Sequence, residues 1–478
     1  MGQVLGVAFG PRSTEVEVRD TDTGALVATG RARHADHGPE VDDPTAWWRS
    51  LAAAVAEAGE REIAAISVCG SHPGLVLLDG AGAVLRPVQP WSDAGAERDA
   101  ARLRKALGAE RWARDAGMLP NPRAAVTRLA WLRRTDPDTY GRIGAALLPH
   151  DWLTYRLAGR AVTDRGSASL TGAWSPSTGT WIDAVLAELG GRASAWATRL
   201  PEVLGPTNRA DWLTAPVYEL LGLRGRPLVA PGTGEPMATA LALALTPGRA
   251  GVSLGASTTI LVGLRRPLVD TTGSVRSRAD GTGRHLAIST AAGGASSIEV
   301  ISGLLDLPAD HLGALALEAR EVDRGVVLVP GVVGRAGGIL TGLGPGVTAR
   351  GLARAAFDGV ACAALDTLDQ AVDAGADWDD EEPLRLTGPA VGLAAHAQVL
   401  ATLADRPVLA AAGSLAAAGA CVQAAAVLSE APPEVVAEAW GLVGDVRLEP
   451  EDDPERLARR LANAEERSRQ RRALLDPL

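Results

Sequence analysis

Two stretches of this chain begin alike. Residues 6–14 read GVAFGPRST and residues 251–259 read GVSLGASTT, so both fit G-V-x-x-G-x-x-[ST]-T. Strand-forming residues follow each, EVEVRD after the first and ILVGLRR after the second. The pattern predicts two strands joined by a tight glycine turn. Gly6 and Gly251 stand about half of the 478 residues apart. A hairpin repeated at that spacing points to two related halves, although nine residues of a Gly- and Ala-rich chain can also agree by chance.

Composition favours the division. Ten of the twelve Trp precede residue 250, leaving Trp378 and Trp440 beyond it. The run TPGRAG at 246–251 is a crossover of turn residues, so the expected domains are 1–246 and 247–478. Within each half, short strands precede long helical patterns, as in two α/β domains. Asp43 before Pro44 is a helix start and Gly59 a stop for PTAWWRSLAAAVAEAG. In VTARGLARAAFDGVACAALDTLDQAV, Leu352, Ala355, Ala356, Gly359, Val360, Ala363 and Ala364 share one helical face. The stretch DPERLARRLANAEERSRQRRALL reads as a charge-laced surface helix.

A net charge of −10 offers no attractive field to a phosphate backbone or an anionic bilayer, so neither nucleic acid nor membrane is an expected partner. Cys69, Cys362 and Cys421 lie far apart without C-x-x-C spacing and read as small buried hydrophobes in a reducing compartment. The first residues, MGQVLGVAFG, lack a basic segment and cleavage site for secretion. A cytoplasmic setting is expected. Nothing in the pattern fixes the oligomeric state, and a homodimer is left open.

A glycine turn between strands exposes backbone N–H groups, and neighbouring hydroxyls add donors. Gly10, Ser13 and Thr14 in the first hairpin, and Gly255, Ser257 and Thr258 in the second, are therefore candidate phosphate contacts. A plain β-turn is the alternative for each. GVSLG also fits G-x-S-x-G with Ser253 as a nucleophile, but that motif requires a strand-to-helix turn, and ASTTILVGL reads as strand.

In RPLVAPGTGEPMATALALAL (226–245) an apolar run breaks into a Pro/Gly turn, and one carboxylate, Glu235, opens a helical pattern. The acid either complements the helix dipole or does chemistry.

The motifs resemble those of the FGGY carbohydrate kinases, nearest their xylulokinase branch. HGPEVDDPTAWWRSL is similar to an acidic Asp-Pro-x-x-Trp-Trp segment of that family, and ISVCGSHPGLVLLDGAGAVLRPVQPWSDAGAE to its sugar-binding strand, turn and Trp-x-Asp. LLPHDWLTYRLAGRAVTDRGSASLTGAW resembles P-x-D-[YW]-L-x-x-x-L-T-G-x-x-x-T-D-x-x-x-A-S. The resemblance implies two ribonuclease-H-like α/β domains of the actin/hexokinase type around an interdomain cleft. Sugar would be held mainly by the N-terminal domain and Mg-ATP mainly by the C-terminal one. It implies transfer of the γ-phosphate of ATP to a hydroxyl of a pentulose such as xylulose, or of a related ketose or polyol. Glu235 falls on the position of the catalytic base. Ser71, His72, Trp91 and Asp93 fall around the sugar, and Gly388 and Gly392 in the adenosine loop.

The chain departs from the family pattern in four places. Ala8 and Pro11 stand where the first hairpin has a Mg²⁺-associated Asp and a Thr, so no protein ligand for Mg²⁺ is assigned. The base is Glu rather than Asp and is followed by Pro236. GSHPG sets His72 one place early. GPAVGL and PGVVGRAGG are reduced forms of the glycine-rich adenosine loop and of a P-Y-x-x-G-E-R-x-P segment. A non-catalytic sugar- or nucleotide-binding descendant, acting as a sensor or partner subunit, is the alternative these changes raise.

Overall fold

The computed structural model describes residues 2–34, 42–71, 74–88, 94–291, 293–319, 325–331, 337–379, 381–392, 394–411, 413–443 and 446–475. The chain divides into two compact units. One comprises Met1–Thr246, Leu264–Leu286 and Leu415–Leu442; the other comprises Pro247–Gly263, Ala287–Ser414 and Val443–Leu478. The first break falls between Thr246 and Pro247, yet two segments from the second half of the sequence belong to the first unit.

In the first unit, β1 (Gln3–Phe9), β2 (Ser13–Asp20) and β3 (Leu26–Arg33) form an antiparallel meander. β4 (Ala65–Gly70) runs parallel to β1. β5 (Asp211–Trp212), β6 (Leu228–Val229) and β7 (Thr233–Gly234) complete the sheet in the order β3-β2-β1-β4-β6-β5, with β7 paired to the end of β4. All six residues of β4 are buried, as expected of a central parallel strand covered on both faces.

α1 (Pro44–Ala58) starts and stops where its punctuation predicts. The Asp43 side chain accepts from the Thr45 N–H, and Gly59 takes a φ of 86°. Its Trp47 is fully buried, with its ring centroid 5.1 Å from that of Phe9. Three further helices frame the site: α2 (Pro149–Ala158), α3 (Arg165–Leu170) and α4 (Glu235–Ala242).

The second unit contains β8 (Ala250–Leu254), β9 (Thr258–Leu264), β10 (His285–Ala291), β11 (Leu384–Thr387), β12 (Val408–Ala410) and β13 (Val446–Leu448). They lie in the order β10-β9-β8-β11-β12-β13. β8 is antiparallel to β9 and parallel to β11, β11 is parallel to β12, and β12 is antiparallel to β13. The run β2-β1-β4-β6-β5 of the first unit shows the same succession of antiparallel, parallel, parallel and antiparallel pairs. The repeated nonapeptide is therefore the first hairpin of a repeated sheet. Because Ser253 lies within β8, paired with Thr259, and the turn after it leads into another strand, it is on no nucleophile elbow.

α5 (Ala295–Leu305) and α6 (Ala349–Asp373) belong to this unit. α6 buries Ala355 through Leu365 without a break while Leu352 is only half-buried. The single-face reading is too narrow there, because α6 is covered on more than one side. The C-terminal helix, Arg456–Leu475, exposes Leu457 and Leu461 but buries Asn463.

Two returning segments complete the first unit for physical reasons. In Leu264–Leu286, the buried Arg278 donates to the Ser169 carbonyl in α3. In Leu415–Leu442, α7 (Ala416–Ser429) is buried from Ala416 to Val427. Its small residues permit close helix approach: a Cβ on Gly419 would come 1.8 Å from the Ala238 carbonyl oxygen of α4.

Candidate active site

β7 and α4 form a strand-to-helix turn. Thr233 and Gly234 pair in parallel with Cys69 and Gly70, and Glu235 follows as the first residue of α4, with Pro236 in the first turn. Pro is tolerated there because the N–H it lacks has no helical partner, and the exposed N–H groups of a helix start favour an anion. Glu235 is partly exposed. Behind it, Cys69, Ala238, Ala416 and Ala420 form a small apolar cluster against which Ala8 packs. Burial pushes the Cys69 thiol well above its ordinary range, and the Glu235 charge raises it further.

The residues before Glu235 are held by buried side chains. The Thr233 hydroxyl donates to Asp164 Oδ2 at 2.8 Å, while Asp164 Oδ1 accepts from the Ser167 N–H at 2.7 Å and caps α3. Burial raises the Asp164 pKa against the lowering effect of these bonds. Gln423 of α7 donates to the Gly232 carbonyl at 3.0 Å and accepts from the Ser67 hydroxyl of β4 at 2.5 Å. His150 bonds Ser167 Oγ through Nε2 at 2.9 Å, and burial pushes its pKa down to about 3. Its burial favours the neutral imidazole.

At the first hairpin the Gly10 N–H closes the turn on the Ser13 carbonyl. Ser13 Oγ turns to Glu15 at 3.3 Å, and Thr14 is fully buried with its hydroxyl 3.0 Å from His34 Nε2 and 3.3 Å from Ser50 Oγ. The strand alternation that makes the hairpin also sends Thr14 inward, so Thr14 leaves the set of phosphate donors. Arg12, which sequence reasoning passed over, is exposed at the tip. Its signal was a cation inside a phosphate-type turn.

The second hairpin behaves likewise. Thr258 is buried and donates to the Gly293 carbonyl at 2.9 Å, whereas Ser257 is exposed beside Gly255. The start of α5 docks on this turn: the Ala295 N–H donates to the Gly255 carbonyl and Ser296 Oγ to the Ala256 carbonyl. A pocket of about 450 Å³ opens beside it, lined in part by Gly293, Ser296, Ser297, Val300 and Ile301. Sequence reasoning missed these residues; the AGGASS run after a strand was the available signal. Gly388 follows β11, bonds Gly413 and leads into a 3₁₀ turn that ends at Gly392.

Ser71 is exposed just beyond β4, its N–H bonded to the Phe9 carbonyl. His72, Trp91 and Asp93 lie outside the described residues. Among the described residues, no group of three or more His, Cys, Asp or Glu is placed to hold a metal ion, Cys69, Cys362 and Cys421 are all buried, and no single helix is long and apolar enough to cross a membrane.

The model of the FGGY family of carbohydrate kinases, N-terminal domain, matches residues 4–242. A xylulose kinase of Streptomyces rubiginosus is 35% identical over 473 residues, covering 96% of this chain and 95% of the relative. The crystal structure of xylulose kinase from Bifidobacterium adolescentis superimposes with a TM-score of 0.81 at 29% identity, covering 98% of this chain and 99% of the other. That of ligand-bound xylulose kinase from Lactobacillus acidophilus gives a TM-score of 0.87 at 18% identity over 99% of both chains, a likeness of fold.

Proposed function

The chain belongs to the FGGY family of carbohydrate kinases, and on that premise we propose that it transfers the γ-phosphate of ATP to a hydroxyl of xylulose or a closely related pentulose. The observation that carries the reading is Glu235 at the start of α4, partly exposed, on a turn in which Gly232 is held by Gln423 and Thr233 by Asp164. A carboxylate so held accepts the proton of the sugar hydroxyl as its oxygen attacks the γ-phosphorus. One O–P bond forms, the bond to the β-phosphate bridging oxygen breaks, and ADP leaves. Base catalysis of this kind is worth ~10²–10⁴ in rate.

Ser71, with His72, Trp91 and Asp93, is the proposed sugar set. Gly255, Ser257, Gly388 and Gly392 are the proposed nucleotide set. At the first hairpin the proposed phosphate groups are the Gly10 turn, Ser13 and the exposed Arg12, since the Thr14 hydroxyl is engaged internally. Ala8 offers a methyl where an acid would ligate Mg²⁺, and no carboxylate cluster replaces it among the described residues. Mg²⁺ is therefore proposed to arrive on the phosphate oxygens of ATP with its own waters, as that ion commonly does. An enzyme that consumes ATP and buries all three of its cysteines suits the cytoplasm.

No observation favours the non-catalytic alternative. The test is ADP formation with Mg-ATP and a panel of ketoses and polyols. Turnover is expected with a pentulose; sugar-induced thermal stabilisation without ADP formation from any member would contradict the proposal.

A further inference from the structure

The turn that carries Glu235 is gripped twice, at consecutive residues, by side chains from separate parts of the chain. Gln423 of α7 donates to the Gly232 carbonyl and ties it, through Ser67, to β4. Asp164, the cap of α3, accepts the Thr233 hydroxyl. Gln423 is 1% exposed, Asp164 4%, and Ser67 and Thr233 are fully buried, so water does not substitute for either grip. Gly234 then pairs with Gly70, and the next residue is the acid.

We propose that Gln423 and Asp164 are positioning residues for the kinase reaction, holding Gly232 and Thr233 so that the longer Glu235 side chain reaches the sugar hydroxyl. The inference rests on Glu235 being the base. Neither is assigned a contact with substrate: Gln423 acts through the Gly232 carbonyl and Asp164 through the Thr233 side chain. Glutamate has one more rotatable bond than aspartate, so its carboxylate samples more positions from a given backbone. Fixing the backbone on two sides limits that sampling. Near-attack geometry gives the grip its leverage, because a displacement of about 1 Å costs ~10²-fold in rate.

The Gln423 grip also ties α7, distant in sequence, to the first unit. Its small-residue face reaches α4 at Ala238, and Gln423 lies one helical turn beyond Gly419. The same helix therefore supports both the start of α4 and the turn before it.

The experiment uses the full-length protein with xylulose and ATP. Thr233→Val removes the hydroxyl at nearly constant volume, Thr233→Ser restores it, and Gln423→Leu removes the second grip independently. Expected is a fall in kcat of ~10- to 100-fold for Thr233→Val and Gln423→Leu, with both KM values within about threefold of the parent and recovery in Thr233→Ser. Circular dichroism melting identifies a variant that fails to fold, in which case the other decides. If kcat is unchanged in the folded variants, or KM rises while kcat holds, the positioning role is overturned. The base assignment is scored separately: a Glu235→Gln enzyme with parental turnover removes the base, whereas an inactive Glu235→Gln beside fully active Thr233→Val and Gln423→Leu removes only the grips.

Discussion

Gly388 lies directly against Leu254: a Cβ at Gly388 would come 2.3 Å from the Leu254 carbonyl oxygen, and its φ of +123° is one that residues with a side chain rarely adopt. The contact joins the end of β11 to the end of β8, where the second glycine hairpin, proposed to hold phosphate, begins. Gly388→Ala is expected to cost ~1–3 kcal/mol from overpacking alone, with further strain from the backbone. The prediction is a lower melting temperature and a higher KM for ATP, with the KM for sugar little changed.

A contrasting pair of glycines tests the packing of the helices. Gly419→Ala would force the methyl into the Ala238 carbonyl of α4, so destabilisation of at least ~1–3 kcal/mol is expected, accompanied by loss of kcat through the displaced Glu235. Gly303, exposed in α5, has nothing within 4 Å of where an added methyl would sit. Gly303→Ala is expected to stabilise by up to ~1 kcal/mol without altering kinetics. Urea denaturation of the two variants beside the parent measures both effects.

The buried histidines set an acid limit. Burial holds His150 at about 3 and His396 at about 4, against an ordinary 6.5. The unfolded chain takes up protons near pH 6.5 that the folded chain refuses, so this stability is complete above pH 6.5 and is lost as pH falls toward 4 and 3. Asp151, Asp164 and Asp280, raised by burial, act oppositely: their contribution is present below 3.8 and declines as pH rises to their folded values. The His150→Gln variant separates the two. At pH 7 it loses the bond to Ser167, ~0.5–1.5 kcal/mol; between pH 7 and 5 its melting temperature is expected to fall less steeply than the parent's.

Arg12 is exposed at the tip of the first hairpin, which is proposed to hold phosphate. Arg12→Ala is expected to raise the KM for ATP several-fold with little change in melting temperature, because the side chain is exposed and surface charges contribute little to stability. Steady-state kinetics at varied ATP checks it, and the effect is expected to shrink as ionic strength rises.

The sequence was legible wherever a local rule decides the structure. Both Gly hairpins, the Asp43 cap and Gly59 stop of α1, and the helix beginning at Glu235 follow from turn chemistry and periodicity. Tertiary contacts were not legible. No local pattern says that Thr14 turns to His34 or Thr258 to Gly293, because either hydroxyl fits a phosphate turn equally well. Gln423 stands 191 residues from the carbonyl it holds, inside an Ala-rich run that reads only as core helix. The contributions of Leu264–Leu286 and Leu415–Leu442 to the first unit likewise depend on contacts such as Arg278 with Ser169.

The most direct test measures the rate of ADP release from Mg-ATP with saturating xylulose for the parent and for Glu235→Gln, which keeps the side chain's shape and removes its basicity. The account predicts sustained turnover by the parent and a loss of ~10²-fold or more in kcat for the variant, with sugar binding retained. Equal turnover by the two proteins would contradict it.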